Sequence, residues 1–171
     1  MAFAAHDGVL RTLVHEAKYG GHASIARALG RRMRPSVADL LAGADGIVPV
    51  PLHPVRRLQR GFNQAEVLAQ ALGVPVRNVL RRRRWTRAQA QLTAARRRGN
   101  VAQAFALAWR PWRPVATGIR GQVLVLVDDV RTTGATLDAC AAVLRQAGAA
   151  EVRALVVARA ELTHSPGRGQ R

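Results

Sequence analysis

Along the chain, apolar residues recur in two rhythms. From Gly8 to Tyr19, Val9, Leu10, Leu13, Val14 and Ala17 fall at helical spacing, with Asp7 at the N-cap position and Gly20–Gly21 as the stop. A second helix is predicted from about Ala23 to Arg34, interrupted by Pro35, with a short turn on through Leu41. Ile47-Val-Pro-Val-Pro-Leu52 reads as a short buried strand that its two prolines fray into a loop. A basic loop, His53 to Gly61, is expected next. It leads into a helix from about Asn63 to Leu72, with Val67, Leu68, Ala71 and Leu72 facing inward. Val74 to Leu80 is predicted as another strand.

From Arg81 to Asn100 the pattern dissolves. That stretch is rich in arginine, poor in large apolar residues and without period, which predicts a mobile surface segment. Trp109–Pro114 reads as a rigid loop. The C-terminal third is clearest: Val123–Val127 is a continuous apolar strand ending in an Asp128–Asp129 turn. Gly134 to Ala147 is a helix with Gly148 as C-cap, and Val152 to Ala158 is a strand. Strand, loop, helix and strand in this length make a βαβ unit, which implies a mainly parallel sheet and an α/β fold. One domain over residues 1–162 is expected, with a disordered Gly-, Pro- and Arg-rich tail over 163–171.

Composition sets limits on this picture. The chain has 171 residues, 49% hydrophobic and only 4% aromatic, so its core must be aliphatic. No apolar run reaches the roughly 20 residues needed to cross a bilayer. His6, Asp7 and Arg11 interrupt the start, which argues against a signal peptide and for the cytoplasm. Cys140 is the one cysteine, which excludes an internal disulfide and a Cys-based zinc cluster, and the five histidines show no ligand spacing. No structural metal is expected. The formal net charge of +17 suits a polyanionic partner. Nearly all the positive charge is arginine, with Lys18 the single lysine, so base composition of the gene is an alternative source of the excess.

The stretch Val123-Leu-Val-Leu-Val-Asp-Asp-Val-Arg-Thr-Thr-Gly-Ala-Thr136 concentrates the candidate chemistry. A buried strand delivers Asp128 and Asp129 to its carboxyl end, where open α/β sheets bind ligands. The next loop is small and rich in hydroxyls and opens a helix. Backbone N–H groups there, with Thr132, Thr133 and Thr136 and a close approach at Gly134 and Ala135, can cradle a phosphate. One carboxylate for each of two neighbouring hydroxyls, followed by a phosphate, describes a ribose 5-phosphate. An acidic turn before an ordinary Thr-rich N-cap is the alternative.

This stretch resembles the phosphoribosyl pyrophosphate signature of type I phosphoribosyltransferases, with Arg131 where an apolar residue is usual. Val48-Pro-Val-Pro-Leu-His53 with Arg56 and Arg60-Gly-Phe-Asn-Gln64 resembles the most distinctive segment of the ComF family. Lys18-Tyr19-Gly20 matches that family in part, and Gln89-x-x-Leu92 with Arg97-x-x-Asn100 resembles its mobile loop. The similarity spans roughly residues 8 to 160.

The resemblance implies a type I phosphoribosyltransferase-like fold with a small hood drawn from the N-terminal helices and the 81–114 region. Asp128 and Asp129 would hold the ribose hydroxyls, and Thr132 through Thr136 the 5′-phosphate. His53, Arg56, Arg60 and Lys18 would face the pyrophosphate, Arg97 and Asn100 would form a lid, and Mg²⁺ would be bound mainly through the ligand. Many members carry an N-terminal zinc ribbon; this sequence either lacks one or has its start placed too late. Three roles stay open: a phosphoribosyltransferase-type protein linked to competence and DNA uptake, a non-catalytic single-stranded DNA-binding module on the same fold, or a nucleobase salvage enzyme. A helicase-like partner and a homodimer are the associations the resemblance suggests.

Overall fold

A computed structural model describes residues 2–5, 12, 16, 22–83, 104–108, 118–131 and 133–159. In chain order its elements are β1 (Ala2–Ala5), α1 (Ala23–Met33), a 3₁₀ turn (Pro35–Val37), α2 (Ala38–Leu41), β2 (Gly46–Pro49), α3 (Pro54–Arg60), α4 (Gln64–Ala71), β3 (Leu80–Arg82), β4 (Phe105–Leu107), β5 (Val123–Arg131), α5 (Ala135–Gln146) and β6 (Glu151–Arg159). The main sheet has the order β1-β6-β5-β2, every neighbour parallel. β3 and β4 form a separate antiparallel ribbon.

Strand β5 is the axis of the sheet. Its side chains alternate between two apolar clusters, as period-2 geometry requires. Val125 and Val127 join Ile47, Leu155 and Val157 beneath α1 and α4, against Met33, Leu68 and Leu72. Leu124 and Leu126 join Val48 and Val156 beneath α5 and the ribbon, against Cys140, Leu144, Phe105 and Ile119. A strand covered on both faces must be apolar throughout, which explains the uninterrupted run from Val123 to Val127.

Four elements depart from the sequence expectations. The stretch 53–61 is a helix, α3, instead of a loop: Pro54 occupies the first turn, His53 caps it, and none of its residues is buried. An amphipathic signal is therefore missing, and only the capping chemistry announces it. Within Val74–Leu80, only Val76 bridges Ile47, and pairing resumes at Leu80 in the other sheet. The aspartate pair is not a turn, because β5 continues pairing with β6 as far as Arg131 opposite Arg159. β1 was not anticipated; its parallel pairing with β6, a tertiary contact, defines it.

Of the predicted first helix, only Thr12 and Glu16 are described, both helical. The rigid loop 109–114, nearly all of the mobile 81–100 segment and the 163–171 tail lie outside the described residues. No helix among the described residues is long and apolar enough to cross a membrane.

Helices α1 and α4 touch backbone to backbone. A Cβ on Gly30 would sit 2.7 Å from Ala71 Cβ and 2.9 Å from the Leu68 carbonyl oxygen. Gly30→Val should therefore force the helices apart and lower stability by about 1–3 kcal/mol. The expected result is a lower urea midpoint at unchanged slope; an unchanged midpoint would mean this contact does not constrain the fold.

Candidate functional site

The alternation along β5 continues past its apolar stretch. It turns Asp128 toward the α5 side and Asp129 toward the α4 side. Both are half-buried, and Asp128 Oδ1 accepts a hydrogen bond from the Asp129 N–H at 2.9 Å. Pairing of Asp128 and Val130 with Val156 and Ala158 holds the pair on a rigid strand. The acids are thus fixed at the carboxyl end of the sheet.

Beyond β5, Gly134 is buried at φ 85° and serves as the N-cap of α5. A Cβ in that left-handed conformation would be strained, so glycine is required there. Thr133 Oγ1 accepts from the Ala135 N–H at 3.4 Å. Asp128, Val130, Thr133, Gly134, Ala135 and Thr136 border a hollow of about 30 Å³ at the start of the helix. This is the anion-favouring end of α5, where the first backbone N–H groups lack intrahelical partners.

The opposite wall comes from Arg60-Gly-Phe-Asn-Gln64, and each residue has a distinct physical task. Arg60 closes α3, and Gly61 terminates it at φ 76° with its N–H on the Arg57 carbonyl at 2.8 Å. Phe62 packs against the α1–α4 core. Asn63 caps α4 by accepting from the Ala65 N–H at 3.2 Å, while its amide donates to the Val50 carbonyl at 3.0 Å. Gln64 is 2% exposed and accepts from Arg60 at 3.4 Å, aiming the guanidinium from beneath. One buried asparagine therefore ties the β2 exit to the start of α4.

The two walls enclose a cleft of about 230 Å³. Asp128, Asp129 and Thr136 line one side; Arg56, Arg60 and Arg82 supply the cations, with Asn63 and Gln64 at the base. Arg82 reaches in from the β3–β4 ribbon, its guanidinium 5.3 Å from the Phe105 ring centroid. Burial lowers the Arg82 pKa first and the Arg56 charge lowers it further, while Asp128 opposes both. Cations crowded this way are stabilised by an anionic occupant. Behind the cleft, burial drives the Cys140 thiol well above its ordinary value, and the Asp128 charge adds to that.

Comparison with known proteins fixes the family. Residues 58–167 match the phosphoribosyl transferase domain. The chain is 36% identical over 165 residues to competence protein F of Haemophilus influenzae, covering 88% of this chain and 68% of that protein. The chain belongs to the ComF family. It is also 34% identical over 154 residues to the DNA utilization protein YhgH of Escherichia coli K12, covering 84% of this chain and 64% of that one. This ComF-family chain thus spans about two thirds of the length of these relatives. Among solved structures, the glutamine phosphoribosylpyrophosphate amidotransferase of Bacillus subtilis shares the fold. Its TM-score is 0.53 at 23% identity, over 84% of this chain and 30% of that one.

Within the ComF-family chain, the structure brings Asp128, Asp129, Thr136, Arg56 and Arg60 to one cleft, with Thr133, Gly134 and Ala135 at its phosphate-loop end. His53 does not line that cleft; its Nδ1 accepts from the Val55 N–H at 3.3 Å, which caps α3. Lys18, Thr132, Arg97 and Asn100 lie outside the described residues. Of the regions expected to form the hood, the β3–β4 ribbon contributes Arg82 to the cleft, α1 packs along α4, and most of the first predicted helix lies outside the described residues.

Asn63, Gln64 and Arg82 line the cleft without having been assigned to it from the sequence. Asn63 and Gln64 stood inside a recognised motif, but their buried hydrogen bonds need the tertiary pairing with Val50 and Arg60. Arg82 was hidden in a run of four arginines, where only the strand period could single it out: Leu80 and Arg82 share one face and Arg81 takes the other.

Two measurements follow from this geometry. Asn63→Ala removes a cap and orphans the Val50 carbonyl, so it should cost about 2–4 kcal/mol in thermal or urea unfolding. Cys140 should resist thiol reagents in the native protein and react only on unfolding; rapid native labelling would contradict its buried placement.

Proposed function

We propose that this chain binds phosphoribosyl pyrophosphate, or a closely related phosphoribosyl diphosphate, in the cleft between β5 and the α3–α4 junction. The observation that carries the reading is the segregation of charge across one cleft. Two carboxylates and a hydroxyl-lined helix start form one wall, and three arginines stand on the other. A ribose offers vicinal hydroxyls to carboxylates, its 5′-phosphate suits the N–H groups of the Thr133–Thr136 turn, and its diphosphate suits guanidinium forks.

The chemistry of such a site is displacement at the ribose C1. The bond from C1 to the pyrophosphate oxygen breaks, pyrophosphate leaves with the electron pair, and an acceptor atom bonds C1. Asp128 and Asp129 would orient the sugar ring, while Arg56, Arg60 and Arg82 would take up charge gathering on the leaving group. Gln64 acts through Arg60 and is a positioning residue.

A divalent ion such as Mg²⁺ fits this donor set. Among the described residues no group of three or more His, Cys, Asp or Glu side chains converges, so these residues supply no cage of their own. Two carboxylates beside a diphosphate suit an ion held mainly by ligand oxygens and water. When bound, that ion would neutralise diphosphate charge.

The relatives named for competence and DNA utilization support a role for this chain in the handling of incoming DNA. Among the described residues the cleft offers no aromatic ring to sandwich a nucleobase. That weighs against a salvage enzyme built on base stacking.

Calorimetric titration of phosphoribosyl pyrophosphate with Mg²⁺ tests the reading. Wild type should bind in the micromolar range, and Asp128→Asn/Asp129→Asn should bind at least about 100-fold more weakly, given roughly 1.5–3 kcal/mol per charged hydrogen bond. Equal binding by both proteins, or none by the wild type, would overturn it.

A further inference from the structure

Glu66 does not line the cleft, yet its carboxylate meets both of the arms that carry the cleft's arginines. It stands in the first turn of α4, its side chain mostly buried. Oε2 pairs with the Arg57 guanidinium of α3 at 3.5 Å, and Oε1 accepts from the Asn78 amide at 2.8 Å. Arg57 is next to Arg56 and one turn before Arg60 on α3. Asn78 comes just before the β3–β4 ribbon, whose β3 carries Arg82.

The spacing from Asn63 to Glu66 predicts a different bond pattern. Asn-x-x-Glu at a helix start suits a capping box, in which the glutamate turns back to the N–H of the capping residue. Here both Glu66 oxygens are turned outward to other elements. Asn63 caps α4 through the Ala65 N–H at 3.2 Å and needs no help from Glu66. The directed contacts of this carboxylate therefore serve α3 and the ribbon, and α4 gains only a first-turn charge on its dipole.

The two arms need such a tie for different reasons. α3 buries none of its residues, so packing does not fix it. The ribbon parts from the main sheet at Asn78: the Arg77 N–H still donates to the Ile47 carbonyl at 2.7 Å, and the Val79 carbonyl already accepts from Ala108 at 2.8 Å. A change of backbone angle at that single step would swing Arg82. The arms also repel each other at the cleft, since the Arg56 charge helps to lower the Arg82 pKa after burial has done most of it. An exposed ion pair by itself holds little. Glu66, however, stands on a helix anchored by buried Val67, Leu68 and Ala69, and it bonds both arms from that fixed base.

We propose that Glu66 is a positioning residue for the cleft: it holds α3 and the root of the ribbon at one separation, and that separation sets how tightly Arg56, Arg60 and Arg82 grip a diphosphate. The diphosphate rests on the phosphoribosyl reading; the fixed separation rests on the bonds alone. Removing an acid near a cationic site ordinarily strengthens anion binding, because one repulsion is gone. Removing this one should weaken it. The sign of the effect separates the two roles.

Calorimetry with Mg²⁺ and either phosphoribosyl pyrophosphate or inorganic pyrophosphate compares wild type with Glu66→Ala, Asn78→Ala and the double variant. Asn78→Ala removes no charge and should bind both ligands about 10-fold more weakly, the weight of one hydrogen bond to a charged group. Its urea midpoint should not change. Glu66→Ala should lose at least as much, and the double variant no more than Glu66→Ala alone, because the shared bond is already gone. Tighter binding by Glu66→Ala, or unaltered binding by Asn78→Ala, would overturn the proposal. So would an affinity loss matched in both variants by a lower midpoint, which would make Glu66 a stabilising residue only.

A second measurement needs no ligand. Spin labels at Gln59→Cys on α3 and Arg83→Cys at the ribbon, in a Cys140→Ala background, report the separation directly. One narrow distance is expected with Glu66 present and a broader, longer distribution in Glu66→Ala; identical distributions would sink the idea. If wild type bound neither ligand, the phosphoribosyl reading would fall, and the label distances would decide whether Glu66 holds the arms.

Discussion

The structure depends on a strand that must be apolar on both faces and polar at its end. β5 hydrogen-bonds to β2 on one side and β6 on the other, and both its faces are covered by helices. Polar side chains cannot be placed within Val123–Val127 without burying unpaired groups. At Asp128 the cover of α5 and α4 gives out, and charge becomes tolerable while strand pairing still holds the backbone. The acids are consequently both exposed enough to meet a ligand and rigid enough to meet it in one orientation. No loop could supply that combination at this position.

The facing wall solves a different problem. Arginines are long and flexible, and their value in a site depends on what fixes them. Here each has its own constraint: Arg60 rests on buried Gln64, and Arg82 stands over the Phe105 ring at the base of the ribbon. Arg56 belongs to α3, which is held by the His53 cap at one end and the Gly61 turn at the other. The wall is assembled from hydrogen bonds around a helix junction and not from a hydrophobic core, since α3 buries none of its residues. Its geometry thus leans on Asn63, whose side chain bonds both the β2 exit and the α4 start.

This division explains what the sequence made legible. The βαβ unit was readable because burial on both faces leaves an unmistakable apolar run, and because Gly134 and Gly148 mark positive-φ positions at each end of α5. The Asp128–Asp129 pair was readable by type but not by setting: a run of charges looks like a turn, and only pairing with β6 reveals the strand. α3 was not readable by period at all, since an unburied helix has no apolar face to announce it. Arg82 was obscured by its neighbours, because four consecutive arginines carry no information about which one turns inward. Partners distant in sequence, such as Val50 for Asn63, leave no local trace.

The excess of arginine takes on a different meaning once it is placed. A net charge of +17 distributed evenly would act as a diffuse field, screened within about 10 Å at 0.1 M salt. The described arginines are not evenly used. Arg153 spends its charge on Glu151 and on the Leu40 and Ala42 carbonyls, and Arg57 meets Glu66. Arg56, Arg60 and Arg82 face two carboxylates across a cleft, whereas Arg27, Arg31 and Arg34 face no acid among the described residues. Structural pairing and a cleft in which three arginines meet two carboxylates are distinct electrostatic situations. Mutational bias can supply arginines; it does not sort them by whether a carboxylate stands opposite. Convergence on two strand-held carboxylates, not the number of arginines in the chain, is what marks the cleft.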